Sequence, residues 1–83
     1  MSWAVSWSED AAGFLSKLEG GVAKRIIGRV ESASRDPPKH FSRLVGYDDY
    51  KLRVGDYRVI ALLIHAEKRL FIEKVGHRKN VYK

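Results

Sequence analysis

Residues 50–64 read YKLRVGDYRVIALLI and predict a β-hairpin. Apolar and charged side chains alternate over residues 50–54, which is typical of a strand with one buried face. Gly55 and Asp56 then supply the signal for a two-residue turn. Residues 57–64 are the most apolar run of the chain, so they predict the central strand of a sheet.

The residues before this hairpin predict one strand and two helices. Residues 3–7 alternate large apolar and small side chains, as a short strand with one buried face does. Ser8 is a favourable N-cap for a helix that we expect to end at Gly20 and Gly21. A second helix is predicted over residues 22–34. The residues on its inner stripe are Val22, Ile26, Val30 and Ala33.

The remaining segments complete an α+β arrangement. Pro37 and Pro38 end the second helix, residues 39–46 are expected to form a loop, and residues 70–75 predict a further strand. The predicted architecture is an N-terminal strand, a helical hairpin and an antiparallel β-meander, with two helices packed on one face of a four-stranded sheet. The length of 83 residues predicts a single domain, residues 1–83.

Composition narrows the chemistry that this chain can perform. Sixteen Lys or Arg against ten Asp or Glu give a net charge of +6, which predicts a polyanion or an acidic protein as partner. Residues 43–83 hold ten of the basic and five of the acidic side chains, so the positive charge lies mainly in the C-terminal half. The absence of cysteine excludes disulfides and thiolate metal sites, and the three histidines lack the spacing of a zinc-binding helix. We therefore expect neither a metal nor a cofactor.

The sequence also indicates a compartment. No apolar run approaches the roughly 20 residues needed to span a bilayer. Residues 1–7 lack the cationic flank and the long apolar stretch of a signal peptide. We therefore expect a cytoplasmic protein with no membrane partner.

The predicted hairpin brings basic side chains together. Lys51 and Arg53 are two residues apart in a strand and therefore share a face. Arg58 begins the partner strand, and a hairpin this tight brings it beside either Lys51 or Arg53, depending on the register. Three side chains after the last strand are expected to reach the same surface: His77, Arg78 and Tyr82.

Such a cluster has the chemistry of a site for RNA cleavage. Like charges on one sheet face repel, so their grouping indicates a bound anion such as a phosphodiester. Metal-free RNA cleavage needs a base for the 2′-hydroxyl, cations around the phosphate and an acid for the departing 5′-oxygen. A lysine amine can act as the base, whereas the planar guanidinium of arginine suits phosphate binding. A phenol such as Tyr82 can stack on a nucleobase or orient the nucleophile.

Ordinary explanations compete with this interpretation for each residue taken alone. Lys51 and Arg53 are also typical of solvent-facing strand residues that discourage edge pairing. A lone His77 is typical of a surface or capping histidine, and a lone Tyr82 of an anchor for the chain end. On the second helix, the basic residues are interpreted as a solvated face, with partner binding as the second choice: Lys24, Arg25 and Arg29. We assign no role to His40 or His65.

Two motifs in order point to a known family. YKLRVGDYRVI at residues 50–60 and VGHRKNVY at residues 75–82 resemble the RelE/ParE toxin superfamily, specifically its RelE branch, and the likeness extends over nearly the whole chain. The resemblance implies the toxin of a toxin–antitoxin system. Such a toxin is a metal-independent endoribonuclease that enters the ribosomal decoding site, cuts mRNA there and is held inactive by a cognate antitoxin. The active-site positions of the family fall on Lys51, Arg53, Arg58, Arg78 and Tyr82.

The sequence departs from the family at one active-site position. Arg53 stands where better-known RelE sequences carry a second lysine, so Lys51 is the favoured base. Arg53 and Arg58 are then expected to be phosphate clamps, and Arg78 a clamp or proton donor. His77 is a possible substitute base or general acid.

Two other function classes remain open. A ParE-like protein would inhibit a topoisomerase without cutting RNA, and a small basic module would bind nucleic acid without catalysis. The complete set of cations with Tyr82 favours the RelE branch. For the antitoxin, the basic face and the inner stripe of the second helix are expected to accept an acidic amphipathic helix.

Overall fold

A five-stranded sheet with helices packed against it forms the protein in the computed structural model, which describes residues 2–44, 46 and 48–77. A single 3₁₀ turn, His65–Glu67, connects the fourth and fifth strands. The strands are β1 Ala4–Trp7, β2 Ser42–Arg43, β3 Tyr50–Val54, β4 Tyr57–Ile64 and β5 Arg69–His77. The helices are α1 Glu9–Ser16, α2 Gly20–Ala33 and α3 Pro37–His40.

The sheet confirms the predicted α+β class and places the apolar hairpin strand at its centre. The strand order is β1-β5-β4-β3-β2, with β1 parallel to β5 and every other neighbouring pair antiparallel. The prediction of four strands is wrong, because Ser42 pairs with Lys51 and Arg43 with Tyr50 in a fifth, two-residue strand. A strand this short has no alternation to read, so the sequence predicted a loop there.

Helix α1 begins where its cap predicts and ends earlier than expected. The Ser8 hydroxyl accepts a hydrogen bond from the Ala11 amide at 3.0 Å and donates one to the Glu73 carbonyl at 2.6 Å, which ties the helix to β5. Glu9 and Asp10 occupy the first turn, where the positive end of the helix dipole stabilises their negative charge. The cap at the other end, Lys17, is right-handed, so this helix ends without the left-handed glycine that the prediction assumed.

The glycine pair begins a helix instead of ending one, and the proline pair begins a third helix just after α2 has ended as predicted. Gly20 and Gly21 are the first two residues of α2, which makes the prediction of a stop at this pair wrong. Pro37 and Pro38 open the short helix α3, where the missing amide hydrogens would have no partner in any case. No helix in the described part of the chain is both long and apolar enough to cross a bilayer.

One core lies between the helices and the sheet. The inner stripe of α2 is confirmed, with Ile26, Val30 and Ala33 at most 1% exposed and Val22 half-buried at the margin. These side chains belong to the same cluster as Leu15 of α1. The sheet residues of this cluster include Leu52, Val54, Val59, Ala61, Leu70, Ile72 and Val75. The buried face of β3 is thus fixed, and its cationic side chains lie on the other face.

Candidate active site

The turn between β3 and β4 sets the register of the basic side chains. Gly55 has a φ of 60° and Asp56 does not have a positive φ, as in two-residue turns that place glycine first. Arg53 is therefore directly opposite Arg58, and Lys51 is opposite Ile60. Of the two registers that the sequence left open, the structure has the one that pairs the two arginines.

Three of the predicted site residues meet in a cleft of about 340 Å³ at the β2–β3 side of the sheet. Lys51 and Arg58 are half-buried, and Arg53 is exposed. Ser42 of the unpredicted strand β2 pairs with Lys51 and lies at the same cleft. The lining residues are Arg29, His40, Ser42, Lys51, Leu52, Arg53 and Arg58.

The cleft is strongly electropositive. Three arginines and one lysine line it, and no carboxylate stands among its lining residues. Two ion pairs of the described residues, Arg43–Asp48 and Arg69–Glu67, both at 3.4 Å, lie elsewhere on the surface. Such a concentration of one sign of charge attracts an anion, and the arginine guanidinium groups suit the oxygens of a phosphate.

Two lining residues were not recognised as site residues from the sequence. Arg29 lies on α2, where it was interpreted as part of a solvated face, and His40 is the last residue of α3. Both reach the cleft because α2 packs against β3 and α3. Helical periodicity shows which residues of α2 face the core but not what stands beside the outer ones, so no sequence signal marked Arg29.

His77 does not join this cleft, contrary to the prediction. It is paired with Tyr57, and the two rings meet edge to face at 5.8 Å between centroids. Tyr57 in turn contacts Phe14 of α1 at 6.2 Å, so His77 lies on the helix side of the sheet. Arg58, by contrast, is opposite Gly76. The other two predicted residues, Arg78 and Tyr82, lie outside the residues that the structure describes.

A β-bulge in β5 explains the position of His77. Ile60 pairs with Lys74 and Ala61 with Ile72, so Glu73 is an extra residue without a partner on β4. One extra residue reverses the alternation of every side chain after it. Val75 is consequently buried in the core, and His77 follows it onto the same face.

Glu73 itself carries a perturbed carboxyl group. Burial raises its pKa above the ordinary value, and the charge of Asp49 and a side-chain hydrogen bond with Asp49 raise it further. Lys74 opposes these effects. The Glu73–Asp49 pair is absent from the cleft lining, so its protonation bears on stability more directly than on the cationic site.

The side chains that ligate metals are dispersed. In residues 2–44, 46 and 48–77, no three His, Cys, Asp or Glu side chains come together closely enough to hold a metal ion.

Comparisons with known proteins agree with this fold. The toxin from the RelBE2 toxin–antitoxin complex of Mycobacterium tuberculosis matches with a TM-score of 0.83 at 20% identity, covering 96% of this chain and 95% of that one. RelE in the archaeal RelE–RelB complex from Pyrococcus horikoshii matches with a TM-score of 0.77 at 24% identity, covering 98% and 100%. The intact Escherichia coli RelBE complex gives 0.76 at 23% identity, covering 92% and 96%. At these identities the matches show a shared fold.

Family membership rests on the sequence. No curated protein sequence matches this chain. The family model for the ParE toxin of the parDE type II toxin–antitoxin system matches residues 5–82, nearly the whole chain. The resemblance to the RelE/ParE superfamily is thereby confirmed, and the chain belongs to the ParE toxin family of type II toxin–antitoxin systems.

Proposed function

We propose that this toxin is a metal-independent, ribosome-dependent endoribonuclease that cleaves mRNA and so inhibits translation. The pairing of Arg53 with Arg58 beside Lys51 is the observation that carries this proposal. Like charges directly opposite each other on adjacent strands destabilise a sheet. A bound phosphodiester would offset this repulsion, and its charge increases in the pentacovalent transition state.

Lys51, Arg53 and Arg58 have different roles in the proposed reaction. In its neutral form, the Lys51 amine accepts the proton of the 2′-hydroxyl, and the 2′-oxygen attacks the neighbouring phosphorus. Arg53 and Arg58 bind the non-bridging oxygens as their negative charge grows. The bond from phosphorus to the 5′-oxygen breaks, and that oxygen takes a proton from an acid. The products are a 2′,3′-cyclic phosphate and a 5′-hydroxyl end.

The segment after β5 supplies the remaining roles in this proposal. The family resemblance assigns Arg78 as a further phosphate clamp or as the proton donor, and Tyr82 as the residue that orients the nucleophile or stacks on a nucleobase. His77 is left out of the mechanism, because it contacts Tyr57 on the helix side of the sheet. We infer that the protein acts in the cytoplasm, where translating ribosomes are found.

Primer extension on mRNA from a translating extract tests the endoribonuclease proposal. Wild-type protein should give discrete cuts with 2′,3′-cyclic phosphate ends, and Arg58→Ala should lower the rate about 10²- to 10³-fold. Lys24→Ala, which removes an exposed charge outside the cleft, should cut like the wild type. Intact mRNA with the wild-type protein, or equal activity in all three proteins, would exclude the assigned active site.

A topoisomerase inhibitor is the second candidate, because the matching family model is that of ParE toxins. Such a protein would block supercoiling of DNA in a purified topoisomerase assay and leave mRNA intact. A basic module that only binds nucleic acid would do neither and would show steeply salt-dependent binding. The cationic cleft favours the endoribonuclease, because a partner-binding surface does not require two arginines to oppose each other.

We also propose that a cognate antitoxin binds and inhibits this toxin. Its structural relatives form toxin–antitoxin complexes. The inner stripe of α2 is not available for that contact, because Ile26, Val30 and Ala33 are buried in the core. A second, almost wholly apolar cleft of about 410 Å³ instead lies between β1, α1 and α2. Its lining residues are Trp7, Ala12, Leu15, Ser16, Ala23 and Ile27.

An apolar cleft between two helices fits the apolar face of an amphipathic helix. We assign it to the antitoxin because the chain belongs to a toxin–antitoxin family and its relatives crystallise with their antitoxins. Co-expression with the neighbouring reading frame followed by gel filtration tests this pairing. A single peak containing both proteins is expected, and two separate peaks would contradict it.

A further inference from the structure

We infer that Arg29 and His40 bind a second phosphate of single-stranded RNA, next to the phosphate held by Lys51, Arg53 and Arg58. This inference rests on the proposed endoribonuclease function and defines how much of the substrate the cleft recognises. It concerns binding alone, since neither residue is needed for the proton transfers of the proposed reaction.

The charge in the cleft exceeds what one phosphodiester can balance. With Lys51 counted as the neutral base, Arg53 and Arg58 still provide two positive charges against the single negative charge of a phosphodiester. Arg29 adds a third arginine charge to the same cleft, and His40 adds an imidazole that donates a hydrogen bond. A second phosphate would balance this excess.

The cleft is also wider than a single phosphate group. It extends from Arg58 on β4, across β3, to Ser42 on the edge strand β2. These are two inter-strand spacings, about 10 Å. His40 lies two residues before Ser42 and therefore belongs to the β2 end, far from Arg58.

No polar contact within the described part of the chain accounts for the positions of Arg29 and His40. Neither side chain forms an ion pair or a hydrogen bond with any of the residues that the structure describes. Arg29 is nevertheless half-buried beside three other cations. Holding a cation there costs free energy in the unliganded protein, and a bound anion would recover it.

Titration with short oligonucleotides tests this inference. The two ligands are a dinucleotide and a trinucleotide with hydroxyl ends, which carry one and two phosphates, and 2′-O-methyl groups prevent cleavage. Binding is followed by NMR chemical shifts at low salt with wild type, Arg29→Gln, His40→Gln and the matched control Lys24→Gln. Lys24 lies on the same helix as Arg29, is exposed and does not line the cleft.

We expect a length-dependent loss of affinity. Arg29→Gln and His40→Gln should weaken trinucleotide binding about two- to fivefold, the size of one exposed ion pair or hydrogen bond, and leave dinucleotide binding unchanged. For Arg29→Gln, the salt dependence of trinucleotide binding should also become shallower by about 0.7 in log–log slope. Lys24→Gln should affect the two ligands equally.

Several results would overturn the second phosphate site. These are an equal loss on both ligands for Arg29→Gln, no loss on either ligand, and a failure of the wild type to bind the trinucleotide. Primer extension with the same variants separates the two proposals. Cleavage by the wild type without a length-dependent loss would reject only the second phosphate site. A length-dependent loss of affinity, with no mRNA cleavage by the wild type, would support the second phosphate site and reject the endoribonuclease.

Discussion

Arg53 and Arg58 lie directly opposite each other on antiparallel strands, next to the two-residue turn at Gly55 and Asp56. Like charges at opposed positions repel, so the mutual contact of these two arginines destabilises the sheet. The pair lies beside Lys51 in an electropositive cleft. With an anion bound there, the two arginines would stabilise the protein instead of destabilising it. Stability and ligand binding therefore make opposite demands on these two positions.

Replacing one arginine should stabilise the hairpin and remove activity. In Arg53→Thr, a β-branched side chain replaces an exposed cation, so we expect the free energy of unfolding to rise by up to about 1 kcal/mol. Urea denaturation measures this change, and primer extension measures the loss of cleavage. A fall in stability would show that Arg53 makes favourable contacts that outweigh the repulsion.

The two basic residues of β3 should respond differently to conservative replacement. If Lys51 is the base, Lys51→Met should lower cleavage about 10²- to 10⁴-fold, the range for losing a general base. Arg53→Lys keeps the positive charge and should retain most of the activity. Single-turnover cleavage of ribosome-bound mRNA measures both rates. If Lys51→Met cleaved faster than Arg53→Lys, Lys51 would not be the base.

Glu73 should make stability depend on pH. Its pKa is raised in the folded state, so the folded protein binds more protons than the unfolded chain between the ordinary and the raised pKa. Stability is therefore lost as the pH rises through this window. Glu73→Gln removes the ionisable group, and we expect its Tm to exceed that of the wild type at pH 7 and to converge with it at acidic pH. A constant difference between the two proteins at all pH values would contradict the assignment.

Ser8 should contribute to stability through two hydrogen bonds. Ser8→Ala removes the cap to the Ala11 amide and the bond to the Glu73 carbonyl, so we expect a loss of about 1 kcal/mol or more in the free energy of unfolding. Ser16→Ala is the control, because among the described residues that exposed hydroxyl donates its hydrogen bond within its own helix, to the Gly13 carbonyl. Similar unfolding midpoints for the two variants would argue against the cap.

Antitoxin binding should be sensitive to charge in the apolar cleft. Ala12 is exposed and lines it, so Ala12→Asp should weaken the complex while leaving the toxin folded. Gly13→Asp adds the same charge to the same helix outside the cleft and serves as the control. Gel filtration of co-expressed pairs compares them, and a complex that survives Ala12→Asp unchanged would place the antitoxin elsewhere.

Local patterns in the sequence determine much of the fold. The alternation over residues 50–54, the Gly55–Asp56 turn and the apolar run after it gave the central hairpin, because a strand with one buried face must alternate. Ser8 gave the start of α1 by the same local logic, since a capping hydroxyl acts on its own helix. These elements depend on neighbours in the chain and are readable from it.

Breaker residues were a weaker guide, because glycine and proline permit several outcomes. Gly20 and Gly21 were expected to end a helix and instead begin one, and Pro37 opens a helix of a single turn. Both outcomes satisfy the same local chemistry, so the choice falls to packing against the rest of the protein.

The candidate site was decided by tertiary structure at three points. The register that sets Arg53 against Arg58 follows from the turn and the neighbouring strands, and the bulge at Glu73 turns His77 to the helix side. Arg29 and His40 enter the cleft because α2 packs against both β3 and α3. The sequence alone determined which residue types were available and which of them share a strand face. Only the packing of distant segments determined which of them meet, because contacts between separate elements leave no periodicity in the chain.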